Sequence, residues 1–286
     1  MAEAIRSGFA KGEGTNLYFE RRGSGPALVM IAGGGGDCSV FSAIGKLLAT
    51  SYTVLTYDRR GNSRSPLLGS PTKITLAEQS SDALTVLRAN GFESALVFGN
   101  SGGAEIALDL ASRYPRTIEA VVPHEPPTPK ILPDAGDILA SYDEIDRVMQ
   151  KEGWAAAFKL FLAINRLTPP GKPEAAEVML NPEKFLPPSP HLDLLKRQTG
   201  NWEYMMKYEV RSFIDFVPDL EKIVGSEVRI GMAAGVDTRG QYPHRASEVI
   251  AEKLGAEFVE FPGGHSGAME VPGPFALELR KLFDRL

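Results

Sequence analysis

Cysteine occurs once in the 286 residues, as Cys38. One thiol closes no disulfide within the chain and builds no cysteine metal cage. Long apolar runs are also missing. The longest, Ala27 to Ala32, falls far short of the roughly 20 residues that span a bilayer. The segment Met1–Gly14 has no apolar stretch of the kind a secretory signal carries, so the cytoplasm is the expected compartment. Positive charge is not in excess: 31 Lys and Arg stand against 36 Asp and Glu, a net charge of -5. The pair Arg59-Arg60 is too short to make a basic patch, which excludes nucleic acid and anionic membrane surfaces as expected partners. The Gly33–Gly36 run is followed neither by the glycine spacing of a dinucleotide site nor by the Gly-Lys-Ser/Thr of a phosphate loop, and no H-E-x-x-H spacing marks a metal. No cofactor and no metal are expected. Internal repeats and low-complexity tracts are absent as well.

Apolar residues make up 43% and charged residues 23% of the chain, the balance of a soluble globular protein with room for one large core. Short β-type runs recur at Leu17–Phe19, Ala27–Ala32, Tyr52–Tyr57, Ala95–Phe98, Ile118–Val122, Val228–Ala233 and Phe258–Phe261. Several are solidly apolar, as parallel strands covered on both faces are. Helical patterns separate them. Thr75-Leu76-Ala77-Glu78 is a capping box with Ile74 as a staple, and Asn90-Gly91 is a left-handed stop. A last helix is predicted from about Pro274 through Phe283. Such alternation specifies the α/β class with a mostly parallel sheet. It breaks between Pro133 and about Gly225, where helix formers, aromatics and the prolines Pro169-Pro170, Pro187-Pro188 and Pro190 gather. Residues 133–225 therefore read as a helical cap inserted into a core made of 1–132 and 226–286.

Gly99-Asn100-Ser101-Gly102-Gly103 follows the run Ala95–Phe98 and precedes the helix former stretch Ala104–Leu110. A strand that turns this sharply into a helix lifts a serine hydroxyl above the sheet, and the flanking glycines relieve the strain and the crowding. Taken alone the pentapeptide is a common turn; in this setting Ser101 is a candidate nucleophile. A serine hydroxyl needs a base. Of the four histidines, His124 ends a strand, His191 lies in the proline-rich insertion and His244 begins a helix. Only His265, on the Gly263-Gly264-His265 loop after the last strand, suits a base that comes third in the order serine, acid, histidine.

The residues leave the acid open. Asp237, in Ala234-Gly235-Val236-Asp237, follows the strand before the histidine strand. Glu125, in Pro123-His124-Glu125-Pro126-Pro127, ends an apolar run where an unpartnered carboxylate is costly, and the prolines hold its loop extended. A developing oxyanion needs two N–H donors. Gly102 supplies one, and the Gly33–Gly36 loop is placed to supply the other. The turn Asp58-Arg59-Arg60-Gly61-Asn62-Ser63-Arg64-Ser65 has a bracing role.

With the glycine loop, the D-x-R-G-x-S-x-S turn, G-x-S-x-G and the late Gly-Gly-His, the chain resembles the α/β-hydrolase superfamily over nearly its whole length. A closer resemblance is to the zearalenone lactonases, through Gly23–Pro26 to Cys38–Phe41, Tyr57-Asp58 to Ser63–Ser65, and Ser101 through Tyr114-Pro115 to His124–Thr128. That resemblance implies an α/β-hydrolase fold, Glu125 rather than Asp237 as the acid, and Gly34 with Gly102 as oxyanion donors. The four consecutive glycines and the insertion depart from the lactonase pattern.

The expected activity is a cofactor-independent hydrolysis of a carboxylic ester or lactone, through Ser101, His265 and Glu125. Trp154, Phe158, Phe161, Trp202, Met205 and Met206 are candidates for an apolar pocket in the insertion, which suits a large greasy small-molecule substrate. Core packing at helical spacing is the competing reading for at least half of them. Rival activities are C–C bond hydrolysis or perhydrolysis on the same three residues, and ligand reception without turnover. Haloalkane dehalogenation and epoxide opening call for an aspartate at the Ser101 position. Monomer and homodimer both remain compatible with the sequence.

Overall fold

The computed structural model describes residues 5–167 and 174–286; the dipeptide Pro169-Pro170 lies outside them. Eight strands form one sheet: β1 (Arg6–Gly12), β2 (Thr15–Arg22), β3 (Ala27–Ile31), β4 (Thr53–Tyr57), β5 (Ala95–Asn100), β6 (Ile118–His124), β7 (Arg229–Gly235) and β8 (Glu257–Phe261). Their order is β1-β2-β4-β3-β5-β6-β7-β8. β1 pairs antiparallel with β2 and β2 with β4; all pairs from β4 to β8 are parallel.

The apolar runs explain this arrangement. Every residue of β3 and β4 is buried, as befits strands with helices over both faces. One face packs against α2 (Leu76–Ala89), α3 (Gly102–Arg113) and α10 (Tyr242–Leu254) through Val86, Ile106, Leu110 and Ile250. The other packs against α1 (Ser42–Leu48) and α12 (Pro272–Arg285) through Ile44, Leu48, Phe275 and Leu279. α2 starts as its sequence demands: the Thr75 hydroxyl accepts from the Glu78 amide while Glu78 reaches back to the Thr75 amide. α12 begins at Pro272, two residues ahead of the expected Pro274. β1 escapes the apolar-run criterion because it is an edge strand in which only Ala10 is buried.

Between β6 and β7 the described residues are helical: α4 (Ala135–Glu152), α5 (Trp154–Ile164), α6 (Glu174–Leu180), α7 (Pro190–Tyr204), a π-turn at Met205–Glu209, α8 (Val210–Ile214) and α9 (Leu220–Val224). Tyr142, Ile145, Phe158, Met205, Met206 and Val210 form an apolar cluster of their own there. The short α11 (Gly267–Glu270) precedes α12. No described helix is long and apolar enough to cross a membrane.

Candidate active site

Four loops at the carboxyl ends of the parallel strands meet, the place where an open α/β sheet forms its crevice. They follow β3, β5, β6 and β8. At the end of β5, Ser101 has φ 57° and ψ −128°, a conformation rare for any residue but glycine. Its amide donates to the carbonyl of His124 at 2.9 Å, and its carbonyl receives the Ala104 amide at 2.8 Å. The bend closes only because its neighbours lack side chains. A Cβ on Gly103 would stand 2.1 Å from the Ile31 carbonyl oxygen, and one on Gly99 would stand 2.1 Å from that of Gly103. Gly102 opens α3, where the first N–H groups have no intrahelical acceptor.

At the end of β6, Glu125 also takes a positive φ, 51°. Its side chain is buried and fully engaged. Oε2 lies 2.5 Å from Nδ1 of His265. Oε1 accepts the Gly235 amide at 2.8 Å and the Thr238 hydroxyl. Burial alone would raise the pKa of this carboxyl. The hydrogen bond and charge of His265, aided by His124 and Thr238, outweigh that and hold it down at about 2. Glu125 is thus a carboxylate under all ordinary conditions. Asp237, by contrast, is exposed; only its backbone engages the histidine loop, through an N–H to the Gly263 carbonyl at 3.2 Å.

The remaining histidines sit elsewhere. His124 is buried among Phe98, Phe261 and Phe275, with Nδ1 2.7 Å from Asn100 Oδ1. Burial lowers its pKa to about 4, so it is neutral at pH 7. His244 is buried behind the loop that holds Glu125, 3.1 Å from the Gly235 carbonyl. His191 is exposed.

The glycine loop after β3 is clamped from both sides. The Arg59 guanidinium, wholly buried, donates to the carbonyls of Ala32 and Gly33 at 3.0 and 2.9 Å and forms a two-pronged ion pair with Glu209 at 2.7 and 2.9 Å. The Gly33 carbonyl also accepts from the Gly36 amide at 3.1 Å. Because a trans peptide points its C=O and N–H in opposite directions, this fixes the Gly34 N–H away from the guanidinium. From above, Asn201 donates to the Gly35 carbonyl at 2.6 Å. The absent side chains admit the helical layer: a Cβ on Gly34 would stand 2.7 Å from Met205 Sδ, and one on Gly35, at φ 75°, would stand 2.7 Å from the Trp202 ring. Gly34 and Gly35 thus serve close packing of Met205 and Trp202 on the loop, whereas a Cβ on Gly33 would stand 2.6 Å from Ser101 Cβ and one on Gly36 would stand 2.6 Å from Asn62.

Ser101, Gly34 and His265 line two adjoining cavities. The larger, about 340 Å³, runs past Phe158, Phe161 and Trp202. The narrower, about 50 Å³, also reaches Gly102 and runs past Phe161 and Phe213 toward Tyr142 and Tyr242. Two expected pocket residues are corrected. Trp154 starts α5 and packs against the apolar cluster of the helical layer, and Met206 is buried inside that cluster; neither lines either of these two cavities. Met205 lines both. Phe161 and Trp202 line the larger cavity. The sequence reading missed Thr238 and the Gly235 amide as holders of Glu125, the partnership of Arg59 with Glu209, and the polar residues Tyr142, Asn165 and Tyr242. Only Arg59 carried a signal, as part of the bracing turn.

Asp37, Cys38 and Asp58 are the described residues whose donor atoms lie close enough together for a metal ion, all within 4.8 Å. The donors are already committed. Arg64 donates to both oxygens of Asp58, Ser39 and Ser63 donate to Asp37, and burial pushes the Cys38 thiol far up. This is an ion-pair and hydrogen-bond network rather than a vacant ligand set.

A family model for the alpha/beta hydrolase fold matches residues 26–151. An uncharacterized hydrolase of Bacillus subtilis, YraK, is 32% identical over 285 residues, 98% of this chain and 97% of its own length. The chain belongs to the α/β-hydrolase family. It is accordingly a hydrolase, with the mostly parallel sheet of that family. A zearalenone hydrolase of Cladophialophora bantiana is 36% identical over 129 residues, 44% of this chain and 49% of the relative, so that match spans about half of each protein. Among solved structures, an alpha/beta hydrolase from Sphaerobacter thermophilus superimposes with a TM-score of 0.69 at 21% identity, covering 94% of this chain and 96% of that one.

Proposed function

We propose that this hydrolase cleaves a carboxylic ester or lactone through a Ser101–His265–Glu125 triad and an acyl-enzyme, with no cofactor. The observation that carries the reading is the short bond from Glu125 Oε2 to His265 Nδ1, on the same cavity as a serine held in a strained strand-to-helix bend. The Glu125 carboxylate keeps the proton on Nδ1, so Nε2 is bare and acts as the base toward Ser101. Ser101 attacks the carbonyl, His265 passes the proton to the leaving oxygen, and the same imidazole then activates water to release the acid. The N–H groups of Gly34 and Gly102 receive the oxyanion, each contributing about 3 kcal/mol to lowering the barrier. The clamped Gly33 carbonyl supports the Gly34 assignment.

We read residues 133–225 as a cap that closes over this centre and supplies the apolar wall, Phe161, Trp202 and Met205 included. The zearalenone hydrolase relatives favour a lactone as the bond that is broken. We place the reaction in the cytoplasm, on a small apolar substrate. The test is a panel of p-nitrophenyl esters of graded length, macrolactones, and vinylogous diketones. Turnover of esters or lactones with none of diketones is expected. The reverse preference would assign the same three residues to C–C hydrolysis, and saturable binding without product would make the chain a receptor.

A further inference from the structure

Away from Ser101 and His265, the narrower cavity is apolar except along one wall, where three elements bring polar side chains together. Tyr142 comes from α4, Asn165 from the end of α5, and Tyr242 from the start of α10. Tyr142 Oη lies 2.8 Å from Asn165 Oδ1 and 2.8 Å from Tyr242 Oη, and Tyr242 Oη lies 3.3 Å from Asn165 Oδ1. Asn165 Nδ2 donates to the Phe161 carbonyl at 2.8 Å, which turns Oδ1 toward the two phenols. Burial pushes the Tyr142 phenol up to about 12, and burial, Tyr142 and the nearby Glu105 push Tyr242 well above its usual range. Both rings therefore keep their O–H at any working pH.

Counting protons shows what is left over. Each phenol has one proton, and whichever way the Tyr142–Tyr242 bond runs, each is given to the other phenol or to Asn165 Oδ1. Both phenol donors are consumed inside the cluster. In either arrangement the Tyr242 oxygen keeps a lone pair with no donor among the described residues, and Asn165 Nδ2 has a second N–H with no acceptor there. Gln241, on the same wall, makes no side-chain hydrogen bond among the described residues. A group that both donates to Tyr242 and accepts from Asn165 completes the set. A hydroxyl does both; a carbonyl or ether oxygen can only accept.

We propose that Tyr242 and Asn165, braced by Tyr142, form a hydroxyl-binding subsite in the reaction cavity, so that the preferred substrate is an ester or lactone carrying a free hydroxyl. This rests on the hydrolase reading above and narrows its substrate class. A site built to pair a substrate hydroxyl discriminates strongly against the analogue that lacks it, because its own polar groups are then left unpaired.

The experiment compares p-nitrophenyl esters of straight acyl chains of graded length, each with and without a terminal hydroxyl. It uses the wild-type protein, Tyr242→Phe and Asn165→Leu, with kcat/KM as the readout. At the length that lets the hydroxyl reach the cluster, the wild type should favour the hydroxylated ester by about 10- to 100-fold, and either substitution should bring the ratio close to one. Tyr242→Phe keeps the ring and its packing, so it serves if Asn165→Leu fails to fold. Equal kcat/KM for both members at every length overturns the subsite while leaving the hydrolase reading standing. If wild type hydrolyses none of the esters, calorimetric binding to the Ser101→Ala protein decides. Tighter binding of the hydroxylated member, lost on adding Tyr242→Phe, supports the subsite and defeats the hydrolase reading; no preference defeats both.

Discussion

Replacing Glu125 by glutamine keeps the shape of the side chain and removes one charge, yet the surroundings dictate which way the new amide must face. The position of Oε1 is met by two donors, the Gly235 N–H at 2.8 Å and the Thr238 hydroxyl. Only an oxygen can stand there. The amide nitrogen must then occupy the place of Oε2, 2.5 Å from His265 Nδ1 in the native protein. Two N–H groups cannot face each other at that range, so the imidazole proton moves to Nε2 and the ring presents a donor to Ser101 where a base is required. The loss of an acid of this kind through the wrong tautomer costs about 10⁴ in kcat, or about 5 kcal/mol of barrier. The same change at the exposed Asp237, whose link to the histidine loop is a backbone N–H, should leave kcat within about twofold, as surface substitutions do. Steady-state hydrolysis of one p-nitrophenyl ester by both variants decides it. A Glu125→Gln protein that is folded and within tenfold of wild type, or an Asp237→Asn protein that loses more, would refute the tautomer argument.

Other consequences follow from the buried charges. Glu209→Gln strands the Arg59 guanidinium in a wholly buried site and should cost about 3–5 kcal/mol of stability in urea unfolding. The double replacement Arg59→Met with Glu209→Leu should recover most of that stability but not kcat, because the Gly33 carbonyl has lost its anchor; recovery of both would contradict the clamp. Glu105 is fully buried with no hydrogen-bond partner among the described residues for either oxygen, and burial raises its carboxyl well above the ordinary 4.5. Between 4.5 and the raised value the folded protein holds a proton that the unfolded chain has released, so stability falls as pH rises through that window. Glu105→Gln removes this dependence: its melting temperature should match wild type near pH 4 and exceed it as pH rises through that window, whereas an offset already constant from pH 4 upward would argue against a buried acid. Gly35→Ala forces a Cβ to within 2.7 Å of the Trp202 ring at φ 75° and should lower both stability and kcat. Unchanged kinetics in that variant would remove the loop packing from the account.

The parts of this molecule legible in its sequence are those fixed by local rules. Apolar runs such as Ala27–Ala32 and Tyr52–Tyr57 could be nothing but buried strands. Gly99–Gly103 announced the bend at Ser101 because a backbone crossing at 2.1 Å tolerates no side chain. Contacts between distant segments left little trace. Glu209 lies 150 residues from Arg59, and nothing in its neighbours distinguishes it from a solvated glutamate. Thr238 is an ordinary turn residue until the fold sets it against Glu125. Met205 and Met206 read alike as pocket candidates, because a regular helical period cannot foresee the π-turn at Met205–Glu209, which shifts every later side chain around the axis. β1 was invisible for the opposite reason: an edge strand with one buried residue has no apolar pattern to read.

The proposed triad makes the Ser101 hydroxyl a nucleophile activated by an imidazole which Glu125 orients. Fluorophosphonate labelling followed by peptide mass spectrometry tests it most directly. One stoichiometric adduct is expected, on the peptide that contains Ser101. The adduct should be lost in Ser101→Ala and form far more slowly in His265→Ala and Glu125→Gln. An adduct on another residue, undiminished labelling of Ser101→Ala, or equal rates in all these proteins would contradict it.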